Sequence, residues 1–377
     1  MYIPIEDVEM LERYRPGGYH PARIGDHLHN RYEVIQKLGY GSYSTIWLAS
    51  DKTLDRVVAV KSCTADANPH ELNVLTRLST SRQNPAVDPG KDLIPSILGT
   101  FTVNPPNGSH LCYVSTPAKM SIADTKDASY HRLFTLEVAR SPSARLALAV
   151  CYLHSNGFVH GDIHDGNLMP ITRFDSKELP PCIPSHAIIP VWLGKPSGDV
   201  TLPEARILLS DFGETFYPLD ENKFESHTPL ISRAPEAHLE AGVTPLSFPS
   251  DIWSLACTIW DIVGQSPLFE GFLASADDII CEHVEALGIL PREWWDGTTL
   301  NGRSYRSWEG RFEDCVQQPR RAERMPNFEP AERDALFAMV RSMLSFKPES
   351  RPSAEDVLAS EWMVKWALPE CEKVWKS

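Results

Sequence analysis

The chain has 377 residues, 42% of them hydrophobic, and carries a formal net charge of -14 at neutral pH. A chain of this length and composition can bury one large core or two modest ones, which argues against a disordered polypeptide. The negative charge argues against nucleic acid as a direct electrostatic partner and is compatible with a basic protein partner.

The first ten residues, MYIPIEDVEM, lack the basic and apolar regions of a secretory signal. No stretch approaches the roughly 18 apolar residues that a membrane-spanning helix needs, so we expect an intracellular protein with no membrane partner. The eight cysteines are scattered, without a C-x-x-C pair or a histidine at metal-ligand spacing. This pattern predicts reduced thiols rather than disulfides or a structural zinc site.

Short β-rich runs follow an irregular leader, which spans residues 1–30. The runs RYEVIQKL, STIWLAS and VVAVKS are separated by turns at 39–42 and 51–56, which predicts an antiparallel meander. Leucines at helical spacing predict a helix from His70 to Leu78. The run LCYVS, which follows a turn at 104–109, is expected to form a fourth or fifth strand.

The second half of the chain is dominated by helical patterns. A helix predicted from Pro142 to Gly157 leads into FVHGDIHDGN, and a proline-rich stretch at about 171–203 predicts an inserted surface loop. The next run, RILLSDFG, reads as a strand that enters a turn. Farther on, SDIWSLACTIWDIVG is expected to be a buried helix, and SADDIICEHVEALG a helix capped by Ser275.

These patterns predict an α+β fold with two lobes. A β-rich N-lobe at 31–116 precedes a mainly helical C-lobe at 117–365, and a C-terminal tail follows at 366–377.

Phosphoryl transfer needs a phosphate cradle and a cation that holds the phosphates, and the N-lobe offers candidates for both. The cradle is predicted in LGYGSYSTIW, where glycines let backbone N–H groups approach phosphates; its residues are Leu38, Gly39, Tyr40, Gly41 and Ser42. Ser44 stands where a third glycine is expected. Lys61 ends the apolar run VVAV, and Glu71 on the next helix can supply its carboxylate partner. A plain turn and a lysine that reaches solvent are the alternatives.

The most specific element is HGDIHDGN, from His160 to Asn167. Asp162 would orient the substrate hydroxyl and accept its proton, Asn167 would bind Mg²⁺, and His160 is expected to pack rather than act as a base. In SDFGE, Asp211 is the second predicted Mg²⁺ ligand and Phe212 would pack beside it. A polar turn without chemistry is the alternative.

A second set of residues supports the same interpretation. The tripeptide APE ends at Glu236, which is expected to pair with Arg351 and to have a structural role. An exposed Arg351 without that partner is the alternative.

With these residues in place, the chain resembles the eukaryotic protein kinases from about Arg31 to Trp362. The stretch from Tyr14 to Asp51, including YHPARIGD, is similar to the SR-protein kinase family of the CMGC group. This resemblance implies a bilobal fold, ATP and Mg²⁺ as cofactors, and phosphorylation of serines in basic arginine/serine-rich proteins such as splicing factors. It also implies a cytoplasmic and nuclear location; a monomer is expected. Four carboxylates could form a docking face or a solvated one: Asp277, Asp278, Glu282 and Glu285.

Three positions depart from the family pattern. Gly161 replaces an arginine that would hold a phosphorylated activation loop, so we expect activity without loop phosphorylation. His164 stands where a catalytic lysine contacts the γ-phosphate, and we assign it to that contact. Ser232 replaces a tyrosine before RAPE, so the serine/threonine preference follows only from the resemblance.

Two other functions remain open. HGDIH also resembles the corresponding loop of aminoglycoside and choline kinases, which allows a small-molecule phosphotransferase. Ser44, Gly161 and His164 together also allow a pseudokinase that serves as a scaffold.

Overall fold

The computed structural model describes residues 8–80, 89–104, 106–170, 188–294 and 307–376. They fall into two compact units. The N-terminal unit comprises the described parts of 1–80, 95–120 and 171–194, and the C-terminal unit comprises those of 81–94, 121–170 and 195–377. The first is rich in strands and the second in helices, so the predicted α+β class with a β-rich and a helical lobe is confirmed.

In the described part of the N-terminal unit, six strands form one antiparallel sheet in the order β1-β2-β3-β4-β6-β5. The strands are β1 His27–Leu28, β2 Tyr32–Gly41, β3 Ser44–Asp51, β4 Arg56–Cys63, β5 Gly99–Val103 and β6 His110–Ser115. Helix α1, His70–Thr80, follows β4 and buries Val74, Leu75 and Leu78.

Alternating burial explains the central strands. Val34, Trp47, Val58 and Val60 point into one apolar cluster, which is what a sheet with one packed face requires. The three predicted strands and the helix are confirmed. The run LCYVS is the sixth strand rather than the fourth or fifth, because β1 and β5 have patterns too short for sequence periodicity to detect.

The C-terminal unit is mainly helical and also holds a two-stranded sheet of β7 Leu168–Pro170 and β8 Ile207–Leu209. Its α-helices are α2 Ile122–Asp127, α3 Leu136–Ser155, α4 Glu236–Leu239, α5 Phe248–Val263, α6 Ala276–Leu287, α7 Trp308–Phe312, α8 Gln318–Ala322, α9 Pro330–Met343, α10 Ala354–Leu358 and α11 Leu368–Lys376. Two π-helical turns span Glu313–Gln317 and Met363–Ala367. Short 3₁₀ turns in the chain occupy Leu11–Arg13, Lys91–Leu93, Asp165–Asn167, Ser197–Asp199, Leu202–Glu204, Phe212–Glu214, Leu230–Ser232, Arg292–Trp294 and Pro348–Ser350.

Helix α3 begins at Leu136 rather than at the predicted Pro142. The apolar face that the sequence predicts begins at Ala144, which is why the predicted helix started only at Pro142. Here Pro142 lies inside the helix, and the buried residues Val138 and Ala139 extend the packed face toward the N-terminus. Tertiary packing therefore outweighs the loss of one backbone hydrogen bond at the proline.

Two further helical predictions are confirmed. Every residue of α5 from Asp251 to Val263 is buried. Helix α6 starts with a capping box, in which Ser275 accepts a hydrogen bond from the Asp278 N–H and the Asp278 carboxylate accepts one from the Ser275 N–H.

The proline-rich insertion is described only from residue 188 onward, and its first part lies outside the described residues. From 188 to 203 most residues are exposed or half-buried, as predicted, but the segment is anchored. Ile188 packs against the core of the N-terminal sheet, and the Val191 N–H donates a 2.9 Å hydrogen bond to the Lys37 carbonyl.

The C-terminal residues form helix α11, in which Cys371 and Val374 are fully buried. The seven cysteines in the described ranges have free thiols, and Cys182 lies outside those ranges. No helix among the described residues is both long and apolar enough to cross a membrane. The domain boundaries given above stay predictions.

Candidate active site

The glycine-rich segment, Leu38–Ser42, lies at the end of the β2–β3 hairpin. A register shift between Lys37 and Gly39 bends β2 before the turn. Among the described residues, and apart from the two chain neighbours of each glycine, no atom lies within 4 Å of the position that a Cβ would take at Gly39 or Gly41. Packing within the protein therefore does not require glycine at either position, and the space beside the backbone is open to a ligand.

Lys61 on β4 and Glu71 on α1 form the predicted ion pair. The Lys61 Nζ lies 2.6 Å from the Glu71 Oε2, and the two side chains are 18% and 17% exposed. The lysine is therefore held by a charged hydrogen bond instead of extending into solvent. Ser44, at the expected position of a third glycine, is buried and pairs with Cys63 across the sheet.

The catalytic loop follows α3 and is fixed by Asp251 from α5. The N–H groups of His160 and Gly161 donate hydrogen bonds of 2.7 and 2.9 Å to the Asp251 carboxylate, and His154 Nε2 lies 3.0 Å from it. Asp251 is 1% exposed. The role of Asp251 was not predicted, although a carboxylate inside the apolar run SDIWSLACTIW was a usable signal, because a buried charge needs partners.

His160 supports the loop from within, as predicted. Its Nε2 donates a 3.2 Å hydrogen bond to the Ser210 carbonyl, and its Nδ1 accepts one of 3.3 Å from the Asp162 N–H. Burial lowers the pKa of His160, and the nearby Asp251 carboxylate only partly offsets this, so the ring is neutral. The ring also packs edge-to-face on Phe212, with centroids 5.1 Å apart.

Asn167 orients Asp162. The Asn167 Nδ2 donates hydrogen bonds of 3.0 Å to the Asp162 carbonyl and 3.1 Å to its Oδ2. The other carboxylate oxygen, Oδ1, is buried and has no hydrogen-bond partner in the described ranges. A buried acceptor without a partner is destabilising, which marks Asp162 as a candidate functional residue.

The register of the β7–β8 pair brings the two predicted metal ligands together. Leu168 pairs with Leu209, so Asn167 and Ser210 are neighbours, and the Ser210 N–H donates a 2.9 Å hydrogen bond to the Asn167 carbonyl. Asp211 follows with a left-handed φ of 62°, which costs a non-glycine residue roughly 1–3 kcal/mol and is a feature of functional sites. Its Oδ1 accepts a 3.4 Å hydrogen bond from the Gly213 N–H.

The donor atoms at these strand ends fit a hard cation. The side-chain amide nitrogen of Asn167, Nδ2, donates to Asp162, so the side-chain oxygen Oδ1 is the Asn167 atom that can bind a metal. Asp211 adds a carboxylate. The described residues contain no cluster of three or more His, Cys, Asp or Glu side chains suited to a metal. Mg²⁺ does not require one, because it is commonly bound by one or two carboxylates together with substrate phosphates.

His164 faces Asp162 from the same loop. Its Nδ1 accepts a 3.2 Å hydrogen bond from the Gly166 N–H, so the neutral ring carries its proton on Nε2, which lies 3.8 Å from Asp162 Oδ2. A Cβ at Gly166 would lie 2.7 Å from the imidazole. The glycine at position 166 is therefore explained by close packing against the His164 ring.

Gly161 is required by the backbone at its position. Its φ is +77°, and a Cβ there would lie 2.9 Å from the Glu214 carbonyl oxygen. Its own carbonyl accepts a 3.0 Å hydrogen bond from Thr228 Oγ1. An arginine in place of Gly161 would therefore clash with the segment that follows Asp211 and would strain its own backbone.

That segment is held by its own ion pairs. The Glu214 carboxylate contacts Lys223, and its Oε2 lies 2.8 Å from His227 Nδ1. Burial raises the pKa of Glu214, but the hydrogen bonds from Lys223 and His227 outweigh it, and the net shift is downward. The carboxylate stays ionised at neutral pH and ties the two ends of the segment together.

Glu236 and Arg351 form the predicted structural pair. Both guanidinium NH groups donate 2.7 Å hydrogen bonds to the Glu236 carboxylate, and the side chains are 2% and 0% exposed. The alternative of an exposed Arg351 is excluded.

Comparison with known proteins identifies the family. The sequence model of the protein kinase domain family matches residues 32–363 of this chain. A serine/threonine protein kinase of Aspergillus fumigatus is 29% identical, over 96% of this chain and 91% of that protein. The serine/threonine-protein kinase SRPK of Physarum polycephalum is 25% identical, over 94% and 91%.

SRSF protein kinase 3 of Homo sapiens is 29% identical over a shorter part, 44% of this chain and 30% of the human protein. The predicted resemblance to SR-protein kinases is thus confirmed. Protein kinases use ATP with a divalent metal ion and act on protein substrates. The chain belongs to the protein kinase family.

Proposed function

We propose that the chain is an active serine/threonine kinase that transfers the γ-phosphate of Mg-ATP to serines in arginine/serine-rich proteins. The observation that carries this proposal is the arrangement of Asp162, which Asn167 orients through two hydrogen bonds while Oδ1 has no partner among the described residues. A carboxylate fixed in this way is suited to accept the proton of a hydroxyl nucleophile.

Each remaining group has a role in this reaction. The backbone of Leu38–Ser42 would cover the phosphates, and Lys61, fixed by Glu71, would hold the α- and β-phosphates. Asn167 and Asp211 would hold Mg²⁺, which neutralises phosphate charge when bound. His164 would donate one hydrogen bond to the γ-phosphate through Nε2, the ring nitrogen that carries its proton.

The substrate class is supported by the names of the relatives and by the net charge of -14, which favours a basic protein. Helix α6 gives little support. Its Glu282 and Glu285 lie 2.8 and 3.5 Å from Arg311, and Asp278 belongs to the helix cap. Only Asp277 is largely exposed, at 85%, so the interpretation of this helix as an acidic docking face is wrong for three of its four carboxylates.

The pseudokinase alternative is weakened by the packing of two unusual residues. Ser44 is buried in the sheet and Gly161 is required by its backbone, so neither substitution removes a reacting group. Similarity to protein kinases over nearly the whole chain favours a protein acceptor over a small molecule. We also propose a monomer, without direct nucleic-acid binding, located in the cytoplasm and nucleus.

A peptide panel tests the proposal. The full chain is incubated with Mg-ATP and an arginine/serine repeat peptide, and with matched peptides in which lysine replaces arginine or tyrosine replaces serine. We expect the highest kcat/KM on the arginine/serine peptide. Equal rates on the lysine peptide would contradict the proposed substrate class, and a preference for tyrosine would contradict the serine/threonine assignment. Phosphorylation of choline or an aminoglycoside in place of every peptide would favour the small-molecule alternative.

A further inference from the structure

The leader is bound to the N-terminal sheet before it reaches β1. The Gly17 N–H donates a 2.8 Å hydrogen bond to the Asn107 carbonyl, and the Asn107 side chain donates one of 2.8 Å to the Tyr19 carbonyl. The Asp66 N–H donates one of 2.9 Å to the Gly17 carbonyl. Residues 17–19 are therefore tied to the segment after β4 and to the turn between β5 and β6, which makes them a rigid support.

Tyr19 extends from this support to the glycine-rich segment. Its side chain is buried, with the residue 2% exposed, and its hydroxyl donates a 2.7 Å hydrogen bond to the Gly41 carbonyl. The Ser42 carbonyl lies 3.5 Å from the same hydroxyl. The Arg13 guanidinium lies 5.3 Å from the Tyr19 ring and 6.0 Å from the Tyr43 ring, so it joins the tyrosine of the leader to the residue that follows the segment.

This hydrogen bond fixes the direction of a neighbouring donor. In a trans peptide the carbonyl and the N–H of one peptide plane point in opposite directions. A Gly41 carbonyl held toward the leader therefore points the Ser42 N–H away from it. Gly41 also pairs with Ser44 at the end of the β2–β3 hairpin, so the Tyr19 hydroxyl adds a second restraint to the strand pairing that already limits the rotation of this peptide.

We propose that Tyr19 is a positioning residue that orients the Gly41–Ser42 peptide so that the Ser42 N–H faces the phosphates of ATP. This inference rests on the proposed binding of ATP by residues 38–42. It gives a function to Tyr19, the first residue of YHPARIGD, a stretch that has no part in phosphoryl transfer itself.

The test is Tyr19→Phe in the full chain, which keeps the ring and removes only the hydroxyl. Loss of one hydrogen bond that aligns a phosphate donor should raise the Kd and the KM for Mg-ATP about 3- to 10-fold, and leave the KM for the peptide unchanged. The matched control is Tyr32→Phe, a second buried tyrosine of this unit, stacked on Phe101. It should leave both constants unchanged.

A second variant tests the same restraint without altering the Tyr19 side chain itself. Arg13→Gln removes the cation beside Tyr19 and should raise the Kd for Mg-ATP in the same direction, by about two-fold. Thermal unfolding of each variant should match the wild type within about 2 °C. Equal Mg-ATP binding by wild type and Tyr19→Phe would overturn this inference alone. Absence of Mg-ATP binding by the wild type would overturn the proposed function, and this inference with it.

Discussion

In the catalytic loop, the N–H groups of His160 and Gly161 donate hydrogen bonds to the fully buried carboxylate of Asp251. The glycine-rich segment, by contrast, has open space beside Gly39 and Gly41. The first loop is restrained from several sides by Asp251, Ser210 and Thr228. The second is held mainly by the strand pairing of its hairpin and by the hydroxyl of Tyr19.

The difference follows from what each region has to do. A carboxylate that orients a nucleophile must be fixed to within fractions of an ångström, and buried hydrogen bonds provide this. A loop that covers a nucleotide must let it enter and leave, so it can tolerate only light restraint. Changes in the catalytic loop and the buried frame around it should therefore have large effects, and changes at lightly restrained positions small ones.

The largest effect is expected for Asp162→Asn. It preserves the size of the side chain but removes the acceptor of the hydroxyl proton, so kcat should fall about 10²- to 10⁴-fold while Mg-ATP binding is retained. The control is Asp165→Asn in the same loop, which should keep more than a tenth of the wild-type kcat. Initial rates and nucleotide titration measure both; a similar loss in the two variants would argue that the loop responds to any change of charge.

Glu236→Ala tests the buried frame of the C-terminal unit. It leaves the guanidinium of Arg351 buried without its carboxylate, which should lower the free energy of unfolding by about 3–5 kcal/mol. Glu361→Ala breaks an exposed pair with Lys365 and should lower it by less than about 1 kcal/mol. Urea unfolding measures the two variants side by side. Equal losses would mean that burial does not distinguish these pairs.

His283 should make the stability of the frame depend on pH. Its ring packs against Trp253 and Phe269, and burial, together with the charges of Arg351 and Arg311, lowers its pKa from 6.5 to about 3. Between these values the unfolded chain binds a proton that the folded chain excludes. This histidine's contribution to the free energy of unfolding should thus fall by up to about 1.4 kcal/mol per pH unit as the pH drops below 6.5.

His283→Phe removes this titration and keeps an aromatic ring in the cluster. Urea unfolding at pH 7 and pH 5 should show a smaller loss of stability on acidification for the variant than for the wild type. Equal losses would show that His283 does not exclude its proton in the folded state.

A smaller effect is expected for His164→Lys, because lysine supplies a permanent charge at the γ-phosphate. The kcat should stay at the wild-type level or rise a few-fold. His164→Gln keeps a hydrogen-bond donor without that charge and should not exceed the wild type. Complete loss of turnover in the lysine variant would show that the imidazole has a specific task.

The smallest effect is expected from removal of phosphate at the activation segment. Of Ser226, Thr228 and Ser232 in the segment after Asp211, Thr228 and Ser232 are only 3% and 1% exposed, whereas Ser226 is half-buried. Because Glu214 already holds this segment through Lys223 and His227, phosphatase treatment or Ser226→Ala should change kcat by less than about two-fold. Loss of turnover after phosphatase treatment would contradict activity without loop phosphorylation.

The sequence predicted features that depend on local pattern or on a specific motif. Strand alternation located β2 to β4, and motif spacing located the pairs Lys61–Glu71 and Glu236–Arg351. It did not predict tertiary contacts that no motif marks, such as Asp251 beneath the catalytic loop or Tyr19 against Gly41. These depend on tertiary packing, which periodicity does not report.

Two errors have the same origin. The start of α3 was predicted at Pro142 because the buried residues Val138 and Ala139 were not recognised as part of its packed face. For α6 a docking face and a solvated face were both left open, and neither anticipated that Glu282 and Glu285 contact Arg311, which is distant in sequence. In both cases a long-range partner decided the outcome.

The most direct test of the central claim is transfer of the γ-phosphate from Mg-ATP to serine of an arginine/serine repeat peptide, followed by mass spectrometry. Wild type and Asp162→Asn are compared, and Mg-ATP binding is measured on the same preparations. We expect phosphoserine with the wild type, at least about 10²-fold less with the variant, and equal binding by both. Mg-ATP binding by the wild type without transfer to any peptide would contradict an active kinase and favour a scaffold.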